Sequence, residues 1–207
     1  MTLSRKIPTQ RGAQRRVALR YLTVPFAVGL LAACSRSVAF KGTNISSSPL
    51  TMSVTLTDQN GRRRTLADFG GKVVAVFLGY THCPDVCPAT MGELKLAMQQ
   101  LGRAADQVQV LFVSVDPKRD TPQVLARWVT GFDPRFLGLR GTPDELHILA
   151  SQLKVFYGPA QQPSSDEIMH NGNVFLFDRH GHIRVLEQTG VDARTLAADI
   201  GLLLGET

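Results

Sequence analysis

Apolar positions along this chain follow two rhythms. Val73-Val74-Ala75-Val76-Phe77-Leu78 runs without a polar interruption, and Val108-Gln109-Val110-Leu111-Phe112-Val113-Ser114-Val115 is nearly as apolar. Runs of this length and β-branched content predict strands buried on both faces. Between them Leu94, Ala97, Met98 and Leu101 recur at helical spacing, which predicts an amphipathic helix over Met91–Leu101. A second helix is expected from Thr121-Pro122 to about Trp128, then a short strand over Phe136–Leu139. Thr142-Pro143-Asp144-Glu145 carries the start signals of a third helix ending about Leu153, with Thr as N-cap, Pro at the first helical position and Glu closing a capping box. Asn173–Asp178 and Ile183–Glu187 read as antiparallel strands around the turn Arg179-His180-Gly181-His182, and Asp192 caps a last helix ending near Leu204. Upstream, Val54–Thr57 alternates like a strand, Asn60-Gly61 is a turn signal, and Arg62–Leu66 returns from it. Gly158–Asn171 is polar and reads as a long loop or a protruding hairpin.

After the N-terminal β-hairpin the order is β-α-β-α-β-α-β-β-α. Strands alternating with helices give an α/β class, here a central mixed sheet with helices on both faces. A β-α-β start completed by a β-hairpin and a helix is the thioredoxin-like pattern.

Charge changes the picture at one end only. The net charge is +6, but six of the 23 Lys and Arg lie within residues 1–34, which contain no acid. The remaining 17 basic residues balance the 17 Asp and Glu, so the basic pI argues for no nucleic-acid partner. A basic stretch ending at Arg20, an apolar stretch Tyr21–Leu31 too short for a membrane span, and Leu31-Ala32-Ala33-Cys34 together read as an export signal. That ending resembles the bacterial lipobox, in which the cysteine is lipidated and becomes the mature N-terminus; an uncleaved signal anchor is the alternative. The expected organisation is a signal peptide over 1–33, a lipid-anchored flexible tether over 34–53, and a thioredoxin-like domain over 54–207. The expected location is the bacterial cell envelope, on the outer side of the cytoplasmic membrane.

The candidate chemistry lies in Tyr80-Thr81-His82-Cys83-Pro84-Asp85-Val86-Cys87-Pro88, between the first buried strand and the first helix. With Pro88 at the first helical position, Cys87 falls at the helix N-terminus, where free N–H groups and the macrodipole favour a thiolate. If Cys34 carries lipid, Cys83 and Cys87 remain as a pair in an oxidising compartment. Cys-x-x-x-Cys is one residue longer than a dithiol redox motif. A disulfide can still close across it, and two thiolates can also point at one soft metal ion such as Cu(I). Of the five histidines, His82 is expected to project away from Cys83 as its chain neighbour. His147 falls in a helix, and His180 and His182 fall in a turn. His170 precedes the strand Asn173–Asp178, where a thioredoxin carries a cis-proline facing its cysteines; spacing alone leaves it either a metal ligand or a surface-loop histidine. Met91 and Met98 sit at core spacing on a helix rather than as copper thioethers. Asp85 either tunes the site from behind the ligands or simply completes a Pro-Asp turn. Asp116–Asp120 is either a docking loop or a capped turn before a helix.

Three blocks taken together, Tyr80–Pro88, Ser114-Val115-Asp116-Pro117-Lys118-Arg119-Asp120-Thr121-Pro122, and Met169-His170-Asn171 before a strand, resemble the Sco/SenC family over about residues 50–205. The resemblance implies a membrane-tethered, thioredoxin-fold copper protein, with copper as Cu(I) or Cu(II) held by Cys83, Cys87 and His170. It implies a partner in the copper-receiving subunit of cytochrome c oxidase, with a further copper chaperone and a thioredoxin-like reductant as possible companions. Asn171-Gly172 departs from the small hydroxylated residues of many relatives and leaves the ligand set intact. The alternative from another class is a thiol–disulfide oxidoreductase that reduces a cuproprotein's cysteines through Cys83 and Cys87. A peroxiredoxin-type peroxidase expects Pro-x-x-x-Thr-x-x-Cys, and position 76 is Val76.

Overall fold

The computed structural model describes residues 39–159, 168–170 and 172–206. Strands β1 (Thr43–Asn44), β2 (Leu56–Asp58), β3 (Arg63–Arg64), β4 (Val73–Gly79), β5 (Val108–Ser114), β6 (Leu137–Arg140), β9 (Val174–Phe177) and β10 (Ile183–Glu187) form one sheet in the order β1-β10-β9-β4-β5-β6-β2-β3. Strands β4, β5 and β6 run parallel, and β9 and β10 close the other side antiparallel. Helices α1 (Val86–Leu101), α2 (Pro122–Phe132), α3 (Pro143–Leu153) and α4 (Ala193–Gly205) cover it. A separate ribbon pairs β7 (Tyr157–Pro159) with β8 (Ile168–His170), so the polar stretch before the last two strands is a hairpin at its base.

Alternation along the central strands splits the core in two. Val73, Ala75 and Phe77 of β4 and Val108, Val110 and Phe112 of β5 face α1, α2 and α4. Val74, Val76, Leu78, Leu111 and Val113 face α3 and the buried Met52, Val54 and Phe69. A strand apolar at every position is thus explained by helices on both sides, as expected. Local signals also hold: Thr121 and Thr142 cap α2 and α3 through their hydroxyls, and Glu145 closes the capping box of α3.

Two expectations are corrected. Helix α1 begins at Val86, two residues before the expected first helical position, with Asp85 at the N-cap position, so Pro88 stands at the third helical position. It fits there because the first N–H groups of a helix have no intrahelical acceptor. The Ser-rich stretch expected as a flexible tether is docked from Phe40 onwards. Thr43–Asn44 adds to the sheet edge beside β10, Ile45 N donates to Arg184 O at 2.9 Å, and Lys41 and Gly42 N–H groups donate to the Asp199 carboxylate at 2.9 and 2.8 Å. Phe40, Ile45, Leu50 and Met52, scattered among the serines, supply the apolar contacts. Residues 1–38, including Cys34, lie outside the described residues.

That docking rests on a pair of buried acids. Asp199 is fully buried and Glu187 is 2% exposed. Burial pushes the Glu187 carboxyl up to about 8, and its hydrogen bond to Asp199 and the Asp199 charge add to the effect. The neutral acid donates to Asp199, which spends its remaining acceptor capacity on the docked backbone. A carboxyl with a raised folded-state pKa stabilises the fold fully below its unfolded value of about 4.5, and this stability is lost as pH rises through about 8. Urea unfolding should therefore show stability falling between about pH 5 and pH 8, at up to about 1.4 kcal/mol per pH unit. Glu187→Gln, which keeps a donor toward Asp199, should flatten that slope.

Candidate functional site

The strand end, the turn and the helix start place the two sulfurs by different means. Residues 80–85 connect β4 to α1, and Cys83 N donates to Tyr80 O at 3.2 Å, closing a turn with Thr81 and His82 at its corners. Cys83 is partly exposed and packs against both halves of the core. Cys87, at the second position of α1, has no solvent exposure. Its burial depends on Gly79: a Cβ there would stand 2.6 Å from Cys87 Sγ and 2.9 Å from Phe112 Cε2. The two cysteines stand as thiols with no disulfide between them.

The helix N-terminus was expected to favour a Cys87 thiolate. Desolvation wins instead. Burial pushes the Cys87 thiol far up, a hydrogen bond with the Tyr80 backbone pulls the other way, and the neighbouring Cys83 and Asp120 push it higher. The pair is therefore asymmetric, with an accessible Cys83 in front and a buried, protonated Cys87 behind.

The chain on either side of His170 meets both ends of this turn. Ile168 N donates to the Tyr80 hydroxyl at 3.3 Å. On the other side, a Cβ at Gly172 would stand 2.7 Å from Val86 Cγ1. The backbone of His170, opposite Tyr157 in the ribbon, thus runs between contacts to Tyr80 and to Val86, the residues that bracket the cysteine turn. The His170 side chain lies outside the described residues, as does Asn171. Among the described residues, no three His, Cys, Asp or Glu side chains group as a metal ion would require.

The other candidates separate clearly. Asp85 is exposed and its side chain does not cap α1. His82 is half exposed, with Nδ1 3.1 Å from the Thr81 hydroxyl and 3.7 Å from Asp120. His147, His180 and His182 are exposed, and Met91 and Met98 are core residues under α1, as their spacing indicated. Sequence reasoning missed Asp120, whose fully buried carboxylate reaches the turn at Thr81. The available signal was its place six residues after Ser114, the end of the strand that runs beside Gly79.

A family model described as SCO1/SenC matches residues 43–205. The chain belongs to the SCO1/SenC family. The "Protein SCO2 homolog, mitochondrial" of Homo sapiens is 34% identical over 150 residues, covering 67% of this chain and 56% of that protein. Its Bos taurus counterpart is 37% identical over 130 residues, covering 61% and 49%. The match thus spans about half the length of these relatives. The structure of Bradyrhizobium japonicum ScoI with copper bound superposes with a TM-score of 0.65 at 33% identity, over 79% of this chain and 98% of that one. The fold is thioredoxin-like, as in these SCO1/SenC structures. No helix of the described residues is long and apolar enough to cross a membrane.

Two outcomes follow from the geometry of this SCO1/SenC turn. With the reduced protein and limiting iodoacetamide, mass spectrometry should find Cys83 alkylated well before Cys87. Gly79→Ala should cost about 1–3 kcal/mol of unfolding free energy, the usual penalty for inserting a methyl into a packed core. Comparable alkylation rates at the two sulfurs in the wild type would contradict the asymmetry.

Proposed function

We propose that this chain binds one copper ion through Cys83, Cys87 and His170 and delivers it to the copper-receiving subunit of a cytochrome c oxidase. The observation that supports the reading is the chain on either side of His170: Ile168 N donates to the Tyr80 hydroxyl, and Gly172 lies against Val86 at the start of α1. The donor chemistry fits: two thiols and one imidazole are a soft, low-coordinate set suited to Cu(I). Membership of the SCO1/SenC family and the similarity to a ScoI that holds copper support it further. Binding displaces the thiol protons, so affinity falls as pH is lowered. Lipidation at Cys34 would keep the domain at the outer face of the cytoplasmic membrane, within reach of a membrane-bound acceptor.

A second reading has its own support, because an accessible sulfur in front of a buried one also suits thiol–disulfide exchange. Cys83 would attack a disulfide in the partner and Cys87 would then displace the mixed disulfide. Two electrons and two protons pass to the partner's sulfurs, and Cys83–Cys87 closes as a disulfide.

Anaerobic Cu(I) titration against a chromophoric chelator separates the two. One equivalent should bind. Cys83→Ser, Cys87→Ser and His170→Ala should each weaken it by at least about 10–100-fold, the range already seen for residues that only support ligands. An unchanged affinity in His170→Ala would remove the copper site and leave the dithiol reading. Cys34→Ser should release the protein from membranes without altering copper affinity.

A further inference from the structure

Most of the buried carboxylates close a turn of their own segment. Asp58 holds the β2–β3 turn at Asn60 and Arg62, and Asp178 holds the β9–β10 turn at His180 and His182. Asp120 reaches instead to a residue 39 positions away in the cysteine turn. Its Oδ1 accepts from the Thr81 hydroxyl at 2.6 Å, and its Oδ2 accepts from Thr81 N at 3.1 Å and from the Ser114 hydroxyl at 2.6 Å. The carboxylate arrives on a stiff loop. Asp120 N donates to Asp116 O, Asp116 N donates to the Ser114 hydroxyl, Arg140 holds Pro117 O at 2.6 Å, and Thr121 caps α2.

Thr81 is the first corner of the turn that Cys83 N closes on Tyr80 O. Its backbone N–H and its hydroxyl both end on Asp120, so a shift of Thr81 carries Cys83 with it. Cys87 is held separately, by its helix and by the space above Gly79. We propose that Asp120 is a positioning residue for the Cys83–Cys87 pair, acting through Thr81 to fix Cys83 relative to a Cys87 that α1 holds independently. The importance of this for copper rests on the reading given above, but the placement of the two sulfurs does not.

A buried carboxylate needs strong donors to persist in an apolar site, and Thr81 and Ser114 supply them between the ends of β4 and β5. Loss of the Thr81 hydroxyl loosens the corner of the turn that carries Cys83, while the Asp120 carboxylate stays on Ser114 and Cys87 stays seated in α1.

The test measures the metal-free protein first. In glutathione buffers, protein disulfide plus two glutathione thiols gives the protein dithiol plus glutathione disulfide, and the equilibrium constant reports how well Cys83 and Cys87 are held together. Thr81→Val and Asp120→Ala should each make the Cys83–Cys87 disulfide about tenfold easier to reduce, the scale of one lost hydrogen bond to a charged group. Thr81→Ser, which keeps the hydroxyl, should stay within about twofold of wild type on the same reasoning. Cu(I) affinity should follow the same ranking. If Thr81→Val, folded by circular dichroism, has the wild-type constant or a more stable disulfide, the positioning role is wrong. Should Asp120→Ala fail to fold, Thr81→Val and Thr81→Ser still decide it. If the glutathione constants shift as expected while even the wild type binds no Cu(I), the clamp stands and the copper reading falls.

Discussion

The sulfur of Cys87 fills the space that any side chain at position 79 would need, and the geometry around the turn follows from that packing. Gly79 ends β4, so α1 can start directly over the strand and seat Cys87 against Phe112 with no solvent contact. Cys83 is then left at the surface of the same turn, with Ile168 of the ribbon on Tyr80 and Gly172, beyond the ribbon's end, against Val86. A larger residue at 79 would lift the helix start and separate the elements that meet there.

Burial at that point opposes the helix. The first turn of α1 offers orphan N–H groups that stabilise a thiolate by a modest amount, whereas removing a sulfur anion from water is far more expensive. The second effect prevails at Cys87. A pair with one ready sulfur and one reluctant sulfur suits either exchange with another dithiol or the holding and release of a soft metal ion. Identical, fully ionised thiolates would hold metal more tightly and give it up less easily.

The loop Asp116–Asp120 and the segment before β2 show how polar sequence can carry structure. Both read as surface features from composition. In the fold, Asp120 is fully buried against Thr81 and Ser114, and residues 41–45 are fastened to α4 and β10. Composition misled because a buried carboxylate or a short polar edge strand is stabilised by partners distant in sequence, and no local pattern reveals them. His82, expected to project away from Cys83, has its Nδ1 on the Thr81 hydroxyl.

Much of the chain's design was readable without coordinates. The period of the apolar positions fixed the strands and helices, because a strand covered on both faces and a helix covered on one leave different repeats. Caps such as Thr142 and Glu145 were legible because they act within one turn of backbone. The spacing of Cys83 and Cys87 left a disulfide and a soft-metal site both open, and three motif blocks pointed to the family. Tertiary structure alone decided the helix start at Val86, the burial of Cys87 over Gly79, the burial of Glu187 beside Asp199, and the reach of Asp120 to Thr81. Each depends on contacts between segments tens of residues apart, where desolvation and close packing outweigh the local preferences that a sequence displays.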